Sequence, residues 1–435
     1  MKFIYADSLD YVDPNYDFIS DQSPEGRQAY WDDQFTHEYL GYAPYDGMLV
    51  SRAIVGDHRF PGKYTETQAM RFRRVGAAEF LRFPGKLLFG DSGAFSYHKL
   101  DEPPYSAEDM VAFYEDGGFT HGCSVDHVIF DYDPKYDAGR QVGDEPQRRY
   151  DITLRNAEAF LAESTRLGER FTPMGVVQGW SPKSMAEAAQ RLEAMGYRYL
   201  AIGGMVPLKT DAIKQCLAAI RDTIRPETGI HVLGFAKADD IHEFTGFGIT
   251  SFDTTSPLLR AFKDTKSNYY LPSGNRRLNY YTAIRIPQAL GNTHLGRLVK
   301  SGKWDQERLQ FLEKRALDLI RAYDREEADI DDTLEAILAY SEPLFWDDAK
   351  TADVNRRKIA EFGVMYRRTL TDRPWRLCDC PVCRRLAVEV IVFRASNRNK
   401  RRGMHNIDVF ARHLAATISM NEPPNAPRQP DLFGR

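Results

Sequence analysis

Short apolar runs alternate with amphipathic segments along the first 260 residues of the chain. Apolar runs bounded by turn-forming residues are typical of strands that are buried on both faces of a parallel sheet. We predict eight such strands, at residues 2–6, 48–54, 86–91, 121–126, 173–178, 198–203, 230–235 and 249–253. Helical spacing between them is clearest at 148–167, 183–195 and 208–222. This α/β alternation over about 250 residues predicts a (β/α)8 TIM barrel.

Six of the predicted strands end in a polar or glycine-rich segment. These segments read GDSGAFS, SVDH, VQGW, IGGM, GFAK and FDTTS. In a TIM barrel the carboxyl ends of the strands form the active-site face. Glycines at such ends let the backbone approach a ligand closely. We therefore expect the six segments to converge on one site.

Three of these strand ends carry an aspartate, namely Asp91, Asp126 and Asp253. Two carboxylates on one active face can divide the roles of nucleophile and acid/base catalyst when their surroundings separate their pKa values. Each aspartate taken alone fits a helix cap or a turn better than a catalytic role. The pattern by itself therefore leaves both interpretations open.

Composition and charge restrict the class of protein. Hydrophobic residues make up 43% of the chain, which is enough for a large core, and the net charge is -4. Contacts with nucleic acid would therefore depend on local cationic patches rather than on overall charge. No apolar run approaches the roughly 18–20 residues of a membrane span, and the first residues lack the pattern of a signal peptide. We expect a cytoplasmic protein with no membrane partner.

Three of the five cysteines lie within six residues, at Cys378, Cys380 and Cys383, and His405 follows them. An odd, clustered set of cysteines in a cytosolic protein indicates metal binding rather than disulfides. The spacing C-x-C-x2-C-x21-H supplies three thiolates and one imidazole, which complete a tetrahedral zinc shell with no open position for water. The sequence therefore predicts a structural Zn²⁺ site.

The pattern after residue 260 indicates additions to the barrel. Residues 261–283 are basic, rich in tyrosine and loop-like, and residues 305–340 have the spacing of charged helices. The last residues contain four prolines and little periodicity, which is typical of disorder. We predict a catalytic barrel at 1–260, a basic and aromatic loop with a helical insertion at 261–370, a zinc-binding subdomain with a C-terminal helix at 371–420, and a disordered tail at 421–435.

Five motifs occur in a fixed order along the chain. They are DSGAFS at 91–96, VQG at 177–179, AIGG at 201–204, a strand–helix–strand segment ending in FDTTSP at 231–257, and the cysteine–histidine set. In this order they resemble the tRNA-guanine transglycosylase superfamily, over residues 86–257 and 375–410. The order of the motifs, together with the metal signature, makes the resemblance specific.

The resemblance implies roles for individual residues. Asp253 would be the nucleophile that attacks the sugar, and Asp91 would be the general acid/base. Base contacts would come from Phe95, Asp126, Gln178, Gly203 and Gly204. Two displacements at one carbon retain its configuration, as in retaining glycosidases. The implied enzyme is a pentosyltransferase that exchanges a guanine base and needs no nucleotide or redox cofactor.

Departures from the tRNA-acting members favour the DNA-modifying branch of the superfamily, which inserts a 7-deazaguanine base. Asp253 and Cys378 are 125 residues apart, much further than the family pattern predicts. Only Arg260 matches the arginine-rich segment that follows the nucleophile in bacterial tRNA enzymes. Residues 203–208 resemble members that take 7-cyano-7-deazaguanine. We therefore expect guanine in DNA to be exchanged for 7-cyano-7-deazaguanine.

Two local clusters could contact DNA. The first interleaves Tyr269, Tyr270, Tyr280 and Tyr281 with two arginines, which suits base stacking and phosphate pairing, although a tyrosine-rich packing segment is equally consistent. The second contains Arg394 and four later cations without acids, and we predict a cationic loop there, with an ordinary solvated loop as the alternative. The predicted nucleic-acid contacts are Arg260, Arg276, Arg277, Arg398, Lys400, Arg401 and Arg402.

The last residues carry a short motif of a different kind. Gln429-Pro430-Asp431-Leu432-Phe433 resembles the Q-x-[DS]-L-F peptide that bacterial sliding clamps bind. A terminal peptide with one apolar anchor pair is suited to docking. A sliding clamp is therefore a candidate partner, as are helper proteins that open duplex DNA.

Two other functions remain open on the sequence alone. One is the same base exchange on tRNA, of the queuosine or archaeosine type. The other is a non-catalytic barrel that binds nucleic acid as a partner subunit. Retention of both Asp91 and Asp253 disfavours the non-catalytic alternative.

Overall fold

Eight parallel strands close into a barrel in the computed structural model, which describes residues 1–235, 237, 240–274 and 277–421. The barrel strands follow one another around the ring in chain order. They are β1 Lys2–Ala6, β2 Gly47–Ser51, β3 Leu87–Asp91, β4 His121–Cys123, β5 Thr172–Val177, β6 Tyr199–Ile202, β7 Gly229–Val232 and β8 Ser251–Thr254. All eight predicted strands are confirmed, as is the TIM barrel fold.

Helices cover the barrel strands and form most of the later part of the chain. Within the described residues they are α1 Thr36–Leu40, α2 Arg52–Val55, α3 Glu66–Phe80, α4 Ala94–Tyr97, α5 Ala107–Gly117, α6 Asp144–Ser164, α7 Pro182–Met195, α8 Thr210–Arg221, α9 Ser256–Lys263, α10 Thr293–Lys300, α11 Gln306–Asp324, α12 Ile330–Phe345, α13 Ala352–Asp372, α14 Pro374–Leu377, α15 Pro381–Leu386 and α16 Ser396–Asn421. Four 3-10 turns lie at Pro134–Ala138, Thr165–Arg170, Ile241–Phe247 and Ala387–Ile391. The predicted helices around 148–167, 183–195, 208–222 and 305–340 are confirmed.

Local sequence explains where the barrel helices begin. Ser181 caps α7 because its hydroxyl accepts a hydrogen bond from the backbone N–H of Ser184, and Pro182 occupies the first helical position. Ser106 caps α5 in the same way through the N–H of Asp109. Each cap fixes the residue at which a helix begins after a loop, so the point where that loop ends is also fixed.

The barrel interior is filled by side chains that alternate along the strands. The central cluster is Ile4, Leu49, Phe89, Cys123, Met174, Val176, Tyr199 and Ala201. Burial of apolar side chains on both strand faces is typical of parallel barrels. Strand β1 closes the ring against β8, with Ile4 opposite Asp253, so the last strand lies in register with the first. The packed interior gives the carboxyl ends of the strands a rigid base.

The basic, tyrosine-rich segment after β8 is not the loop that the sequence predicts. It contains α9 and an antiparallel hairpin formed by β9 Tyr269–Ser273 and β10 Arg277–Tyr281. Tyr269, Tyr270 and Tyr281 are buried, so the alternative of a packing segment is correct for them. The hairpin forms because alternating large aromatic residues suit a half-buried pair of strands.

The predicted cationic loop at 394–402 is also wrong, because most of it belongs to α16. This helix begins at Ser396 and continues through His405 to Asn421, so the predicted C-terminal helix also contains the residues predicted as a loop. A third small sheet pairs β11 Ile284–Arg285 with β12 Val392–Phe393. Two described segments far apart in sequence are thereby joined in one subdomain.

The chain divides into two compact units. The first contains residues 1–8, 45–255 and the residues from 414 onward, and it includes the barrel. The second contains residues 9–44 and 256–413. The predicted domain boundaries at 260, 370 and 420 remain a prediction, since compactness alone does not define an independently folding domain. The predicted tail lies almost entirely outside the described residues.

No helix in the described part of the chain combines the length and the apolar character required to cross a membrane.

Candidate active site

A pocket of about 250 Å³ lies at the carboxyl ends of the barrel strands. The predicted catalytic and base-binding residues that line it are Asp91, Phe95, Asp126, Gln178, Gly203, Gly204 and Asp253. The rest of its wall is formed by Ala94, Val128, Val206, Leu233 and Gly234. Since a water molecule occupies roughly 30 Å³ of liquid, the pocket has room for a small organic ligand. Residues spread over 160 positions of sequence therefore share one cavity.

Asp91 is the last residue of β3 and lies in register with Ser51 of β2. Burial, together with the negative charges of Asp253 and Asp126, raises the pKa of Asp91 to about 7 despite an opposing hydrogen bond from Ser51. Its Oδ1 atom has no hydrogen-bond partner among the described residues. Gly93 follows in the left-handed region at φ +79°, which turns the chain sharply beneath the carboxylate. The surroundings thus favour a carboxyl group that can exchange its proton near neutral pH.

Asp126 is held by a buried network. Gln178 Nε2 donates to its Oδ2 at 2.7 Å, and Ser92 Oγ lies 3.3 Å from its Oδ1. The Tyr97 hydroxyl donates to Ser92 Oγ at 2.6 Å and to the Asp126 carbonyl at 3.0 Å. Burial raises the pKa of Asp126 to about 6, and the hydrogen bonds from Gln178 and Ser92 oppose that rise. Sequence reasoning missed Ser92 and Tyr97 in this supporting role.

Asp253 lies on β8 and is buried, and two donors meet one of its oxygens. The backbone N–H of Gly234 is 2.9 Å from Oδ1, and His231 Nε2 is 3.2 Å from the same atom. Sequence reasoning missed His231, although a polar residue inside an apolar strand, two positions before Leu233 of the pocket wall, was a usable signal. The carboxylate is therefore fixed by partners on the neighbouring strand and its end.

Glycines at the pocket wall are required by close packing. A Cβ atom on Gly203 would lie 2.3 Å from Gln178 Nε2, so a side chain there would displace the amide. Gly204 has φ +73°, and Gly234 has φ +64° with its Cβ position 2.7 Å from Val206 Cγ2. The backbone can therefore face the cavity at these positions only without side chains.

Exposed aromatic residues flank the pocket. Phe95 and Phe130 are 50% and 45% exposed, and their ring centroids are 5.7 Å apart at an interplanar angle of 63°. Phe95 also lines the pocket. Large apolar residues left exposed next to a cavity that holds a few polar groups are typical of a ligand-binding rim.

A second cluster of chemically active side chains lies in the other unit. Cys378, Cys380, Cys383 and His405 are buried, and their ligand atoms all lie within 4.8 Å of one another. His405 Nδ1 is 3.3–3.5 Å from the three Sγ atoms. This group could bind a metal ion, because three thiols and one imidazole nitrogen converge on one point.

The orientation of His405 supports metal binding. Its Nε2 lies 2.7 Å from the Tyr270 carbonyl, which can only accept, so Nε2 carries the proton and Nδ1 presents a lone pair to the sulfurs. The Tyr269 ring stacks on the imidazole with centroids 4.0 Å apart, and its hydroxyl lies 3.1 Å from Cys383 Sγ. The surrounding residues thus fix the ligand orientation before a metal binds.

Comparison with known proteins places the pocket in a family. The sequence model of the queuine tRNA-ribosyltransferase family matches residues 63–281. The chain is also 42% identical to a DNA-guanine transglycosylase of Salmonella montevideo over 423 residues, which cover 97% of this chain and 98% of that protein. The chain belongs to the queuine tRNA-ribosyltransferase family. It lies in the branch that contains the DNA-guanine transglycosylase, so the predicted family is confirmed.

Family membership also confirms the expected enzyme class, a pentosyltransferase of the base-exchanging type. The matched range contains strands β3–β8 and the three aspartates of the pocket, and it ends with the β9–β10 hairpin. The cysteine–histidine cluster lies beyond this range. The pocket is therefore the part of this family member that the family model describes.

Three of the predicted nucleic-acid contacts are corrected by the structure. Arg398, Arg401 and Arg402 have no exposed surface. Arg398 pairs with Asp21, and its Nε donates to Glu389 at 2.8 Å. A guanidinium that is enclosed and paired in this way cannot reach a phosphate. The prediction failed because the acidic partners come from distant parts of the sequence.

Arg402 and its neighbours stabilise the fold instead. Arg402 donates to the Ala261 carbonyl at 2.5 Å and to Asn399 Oδ1 at 2.7 Å, and burial lowers its pKa to about 9. Lys400 is half-buried, and its ammonium donates to two backbone carbonyls at 3.0 and 3.1 Å. In this family member, the basic stretch of α16 joins segments of one unit.

The other predicted cations differ in exposure. Arg277, on the hairpin, is exposed. Arg260 is half-buried, with its guanidinium 4.9 Å from the Tyr280 ring centroid and 3.9 Å from Asp264. Arg276 lies outside the described residues, as does the motif at 429–433. Among the predicted contacts that the structure describes, Arg277 is the cation most available to a polyanion.

Proposed function

We propose that this protein is a DNA-guanine transglycosylase that exchanges guanine in DNA for a 7-deazaguanine base, 7-cyano-7-deazaguanine. The observation that carries the proposal is that Asp91 and Asp253 line the same pocket while their carboxyl groups have different surroundings. Such a pair can divide acid/base and nucleophilic work. The relationship to a DNA-guanine transglycosylase over nearly the whole chain supports DNA as the polymer.

Asp253 is the proposed nucleophile. Its carboxylate attacks the sugar C1′, a bond forms between C1′ and the carboxylate oxygen, and the bond to guanine N9 breaks with its electron pair leaving on the base. The incoming base then attacks C1′ from the opposite side and releases the carboxylate. Two inversions retain the configuration at C1′. Donors on Asp253 Oδ1 support this role because they hold the carboxylate in one orientation.

Asp91 is the proposed acid/base. As an acid it gives a proton to the departing guanine, and as a carboxylate it takes one from the incoming base. A pKa of about 7 supports both roles, since the protonated and the ionised carboxyl group are both well populated at neutral pH. Its place in the wall of the pocket, beside the proposed nucleophile, supports a position from which a base nitrogen can be reached.

Base recognition is assigned to Asp126, Gln178, Gly203, Gly204 and Phe95. The carboxylate and amide present hydrogen-bonding groups to the edge of a purine, and the two glycines allow backbone groups to approach it. Phe95 can stack on the base from the rim. A base reaches this pocket only after it leaves the duplex stack, which requires flipping.

The cysteine–histidine cluster is proposed to hold a structural Zn²⁺. Four protein ligands leave no position for a reacting water, so the ion would stabilise the subdomain rather than take part in base exchange. Zinc held by Cys378, Cys380, Cys383 and His405 would link residues 378–383 to α16. Displacement at C1′ by a carboxylate involves no redox or nucleotide chemistry.

The peptide at 429–433 is proposed to bind a sliding clamp, which would bring the enzyme to newly replicated or repaired DNA. The support is the sequence alone. Deleting residues 428–435 should abolish binding to purified clamp while base exchange on short DNA is unchanged. Clamp binding by the truncated chain would refute this assignment.

Substrate choice is tested by offering labelled 7-cyano-7-deazaguanine with either duplex DNA or tRNA. We expect label in DNA and none in tRNA, and no label with the matched Asp253→Asn variant. Label in tRNA alone would replace DNA by tRNA as the polymer. Label in neither, with helicase-opened or single-stranded DNA included, would refute base exchange by this chain.

A further inference from the structure

A line of hydrogen bonds extends from Asp253 into the barrel interior. His231 Nε2 is 3.2 Å from Asp253 Oδ1, and His231 Nδ1 is 2.6 Å from Ser251 Oγ. Ser251 Oγ in turn contacts the Tyr199 hydroxyl. His231, Ser251 and Tyr199 have no exposed surface. The pocket carboxylate is thus connected to three polar side chains that line no part of the pocket.

The direction of each hydrogen bond follows from its partners. An ionised Asp253 only accepts, so His231 Nε2 must donate to it. In the neutral imidazole Nδ1 is then an acceptor, and Ser251 donates to it. Ser251 Oγ can in turn accept from the Tyr199 hydroxyl, whose pKa is raised by burial. All three links are satisfied with a neutral histidine and an ionised aspartate.

The two donors on Asp253 meet the same atom. His231 Nε2 and the backbone N–H of Gly234 both donate to Oδ1. No described residue donates to Oδ2. Rotation of an aspartate carboxylate about its last bond is otherwise soft. Two donors on Oδ1 resist that rotation, and Asp253 lines the pocket, so Oδ2 is the oxygen to which no described residue donates.

We infer that His231 is a positioning residue that holds Oδ1 of Asp253 and so presents Oδ2 to the sugar carbon. The inference rests on the proposed function, because it assigns which oxygen of the proposed nucleophile reacts. When the bond from C1′ to Oδ2 forms, Oδ1 becomes the ester carbonyl and can still accept from both donors. The same contacts therefore serve the carboxylate and the covalent intermediate, and they need no rearrangement between the two steps.

Packing fixes His231 in this orientation. Its ring lies 5.1 Å from the Phe89 ring centroid at an interplanar angle of 34°, inside the barrel core. Ser251 opposes a turned-over imidazole, because a flipped ring would bring the carbons Cδ2 and Cε1 to the positions of Nδ1 and Nε2 and lose both hydrogen bonds. A side chain whose rotamer is locked by packing and by a second hydrogen bond can hold a reacting group accurately.

Two amide substitutions at His231 distinguish a role in positioning Asp253 from a role in packing the barrel core. The amide nitrogen of glutamine can take the place of Nε2 and donate to Asp253, whereas the shorter asparagine reaches only Ser251, from which its amide oxygen accepts in place of Nδ1. We expect His231→Gln to keep kcat for base exchange within about fivefold of wild type, and His231→Asn to lower it by about 10- to 100-fold, as expected for losing a hydrogen bond to a charged group. KM for the base should change little in either variant, because His231 does not line the pocket.

The measurements are single-turnover rates of covalent adduct formation, KM for the base and thermal unfolding temperature. His121→Gln is the control for a changed barrel histidine, since the His121 ring stacks on the same Phe89 at 4.3 Å, and kcat should remain near that of wild type. Equal kcat losses in His231→Gln and His231→Asn, in line with their losses of thermal stability, would overturn the inference. Wild-type kcat in His231→Asn would overturn it too.

Failure of the inference and failure of the proposed function give different results. If Asp253→Asn retains base exchange, the nucleophile assignment is wrong and His231 has no such role. If Asp253→Asn is inactive and forms no adduct while His231→Asn behaves like wild type, the proposed function stands and only the positioning role is refuted.

Discussion

Gln178 Nε2 lies 2.7 Å from Asp126 Oδ2, and both side chains are buried at the wall of the pocket. The backbone N–H of Ile129 lies 3.3 Å from Gln178 Oε1, so the amide is oriented with its nitrogen toward the carboxylate. The pair is therefore ordered before a ligand enters. Preorganised polar groups of this kind provide selectivity in an otherwise apolar pocket.

Replacing Gln178 with leucine removes this ordering and leaves one oxygen of Asp126 without its partner. We expect KM for the base to rise by about 10- to 100-fold, as for the loss of a hydrogen bond to a charged group, with a smaller fall in kcat. Steady-state kinetics with varied base concentration measure both values. Gln147→Leu, an exposed change on α6, is the control, and an unchanged KM in Gln178→Leu would contradict the assigned role.

The pH dependence of kcat/KM should be bell-shaped. Asp126 has a raised pKa of about 6, so it gains a proton and loses its acceptor charge as the pH falls through 6. Asp91 has a raised pKa of about 7, so it loses the proton needed by the departing guanine as the pH rises through 7. Because guanine departs in the half-reaction with DNA, initial rates at subsaturating DNA and saturating base between pH 4.5 and 9 test both limbs.

The Asp126→Asn variant separates the two limbs of that profile. Its remaining activity should lack the fall below pH 6 and keep the fall above pH 7. A profile with an unchanged acidic limb in this variant would assign that limb to another group. A flat profile in the wild-type enzyme would contradict both assignments.

Metal removal should destabilise the unit that contains residues 378–405. We expect about one zinc per chain by elemental analysis, and Cys380→Ser should lower both zinc content and the free energy of unfolding by several kcal/mol, since structural zinc contributes directly to folding. Cys216→Ala is the matched control, because Cys216 is a buried cysteine outside the cluster. Full thermal stability after verified zinc removal would refute the structural role.

Two arginines should respond differently to replacement. Arg277→Ala removes an exposed cation, so DNA affinity should weaken and the slope of log affinity against log salt should fall by about one. Arg402→Met leaves the Ala261 carbonyl unpaired and should cost about 2–4 kcal/mol of folding stability without changing that slope. DNA binding at several salt concentrations and thermal unfolding distinguish the two effects. A reduced slope in folded Arg402→Met would reinstate it as a DNA contact.

The barrel could be predicted from the sequence because each of its strands is a local signal. In β3, for example, the apolar residues 87–89 are followed directly by glycine and Asp91, and this pattern can be read without knowledge of the rest of the chain. The pocket residues could be predicted for a related reason, since the carboxyl ends of parallel strands must meet at one face.

The buried arginines were wrongly predicted as nucleic-acid contacts because their partners lie far away in the sequence. Arg398 is neutralised by Asp21, which lies 377 positions earlier in the chain. Without that partner, consecutive basic residues indicate a surface, and composition alone gives no reason to bury them. The hairpin at 269–281 was missed for a similar reason, because its tyrosines pack against α16 and the cysteine segment rather than against their sequence neighbours.

The most direct test of the account is to trap the covalent intermediate. The protein is incubated with guanine-containing DNA in the absence of incoming base, quenched with denaturant, digested and analysed by mass spectrometry. We predict a DNA-linked peptide modified at Asp253, formed by wild type and lost in Asp253→Asn. An adduct at Asp91 or Asp126 instead, or steady base exchange by Asp253→Asn, would contradict the central claim that Asp253 is the nucleophile.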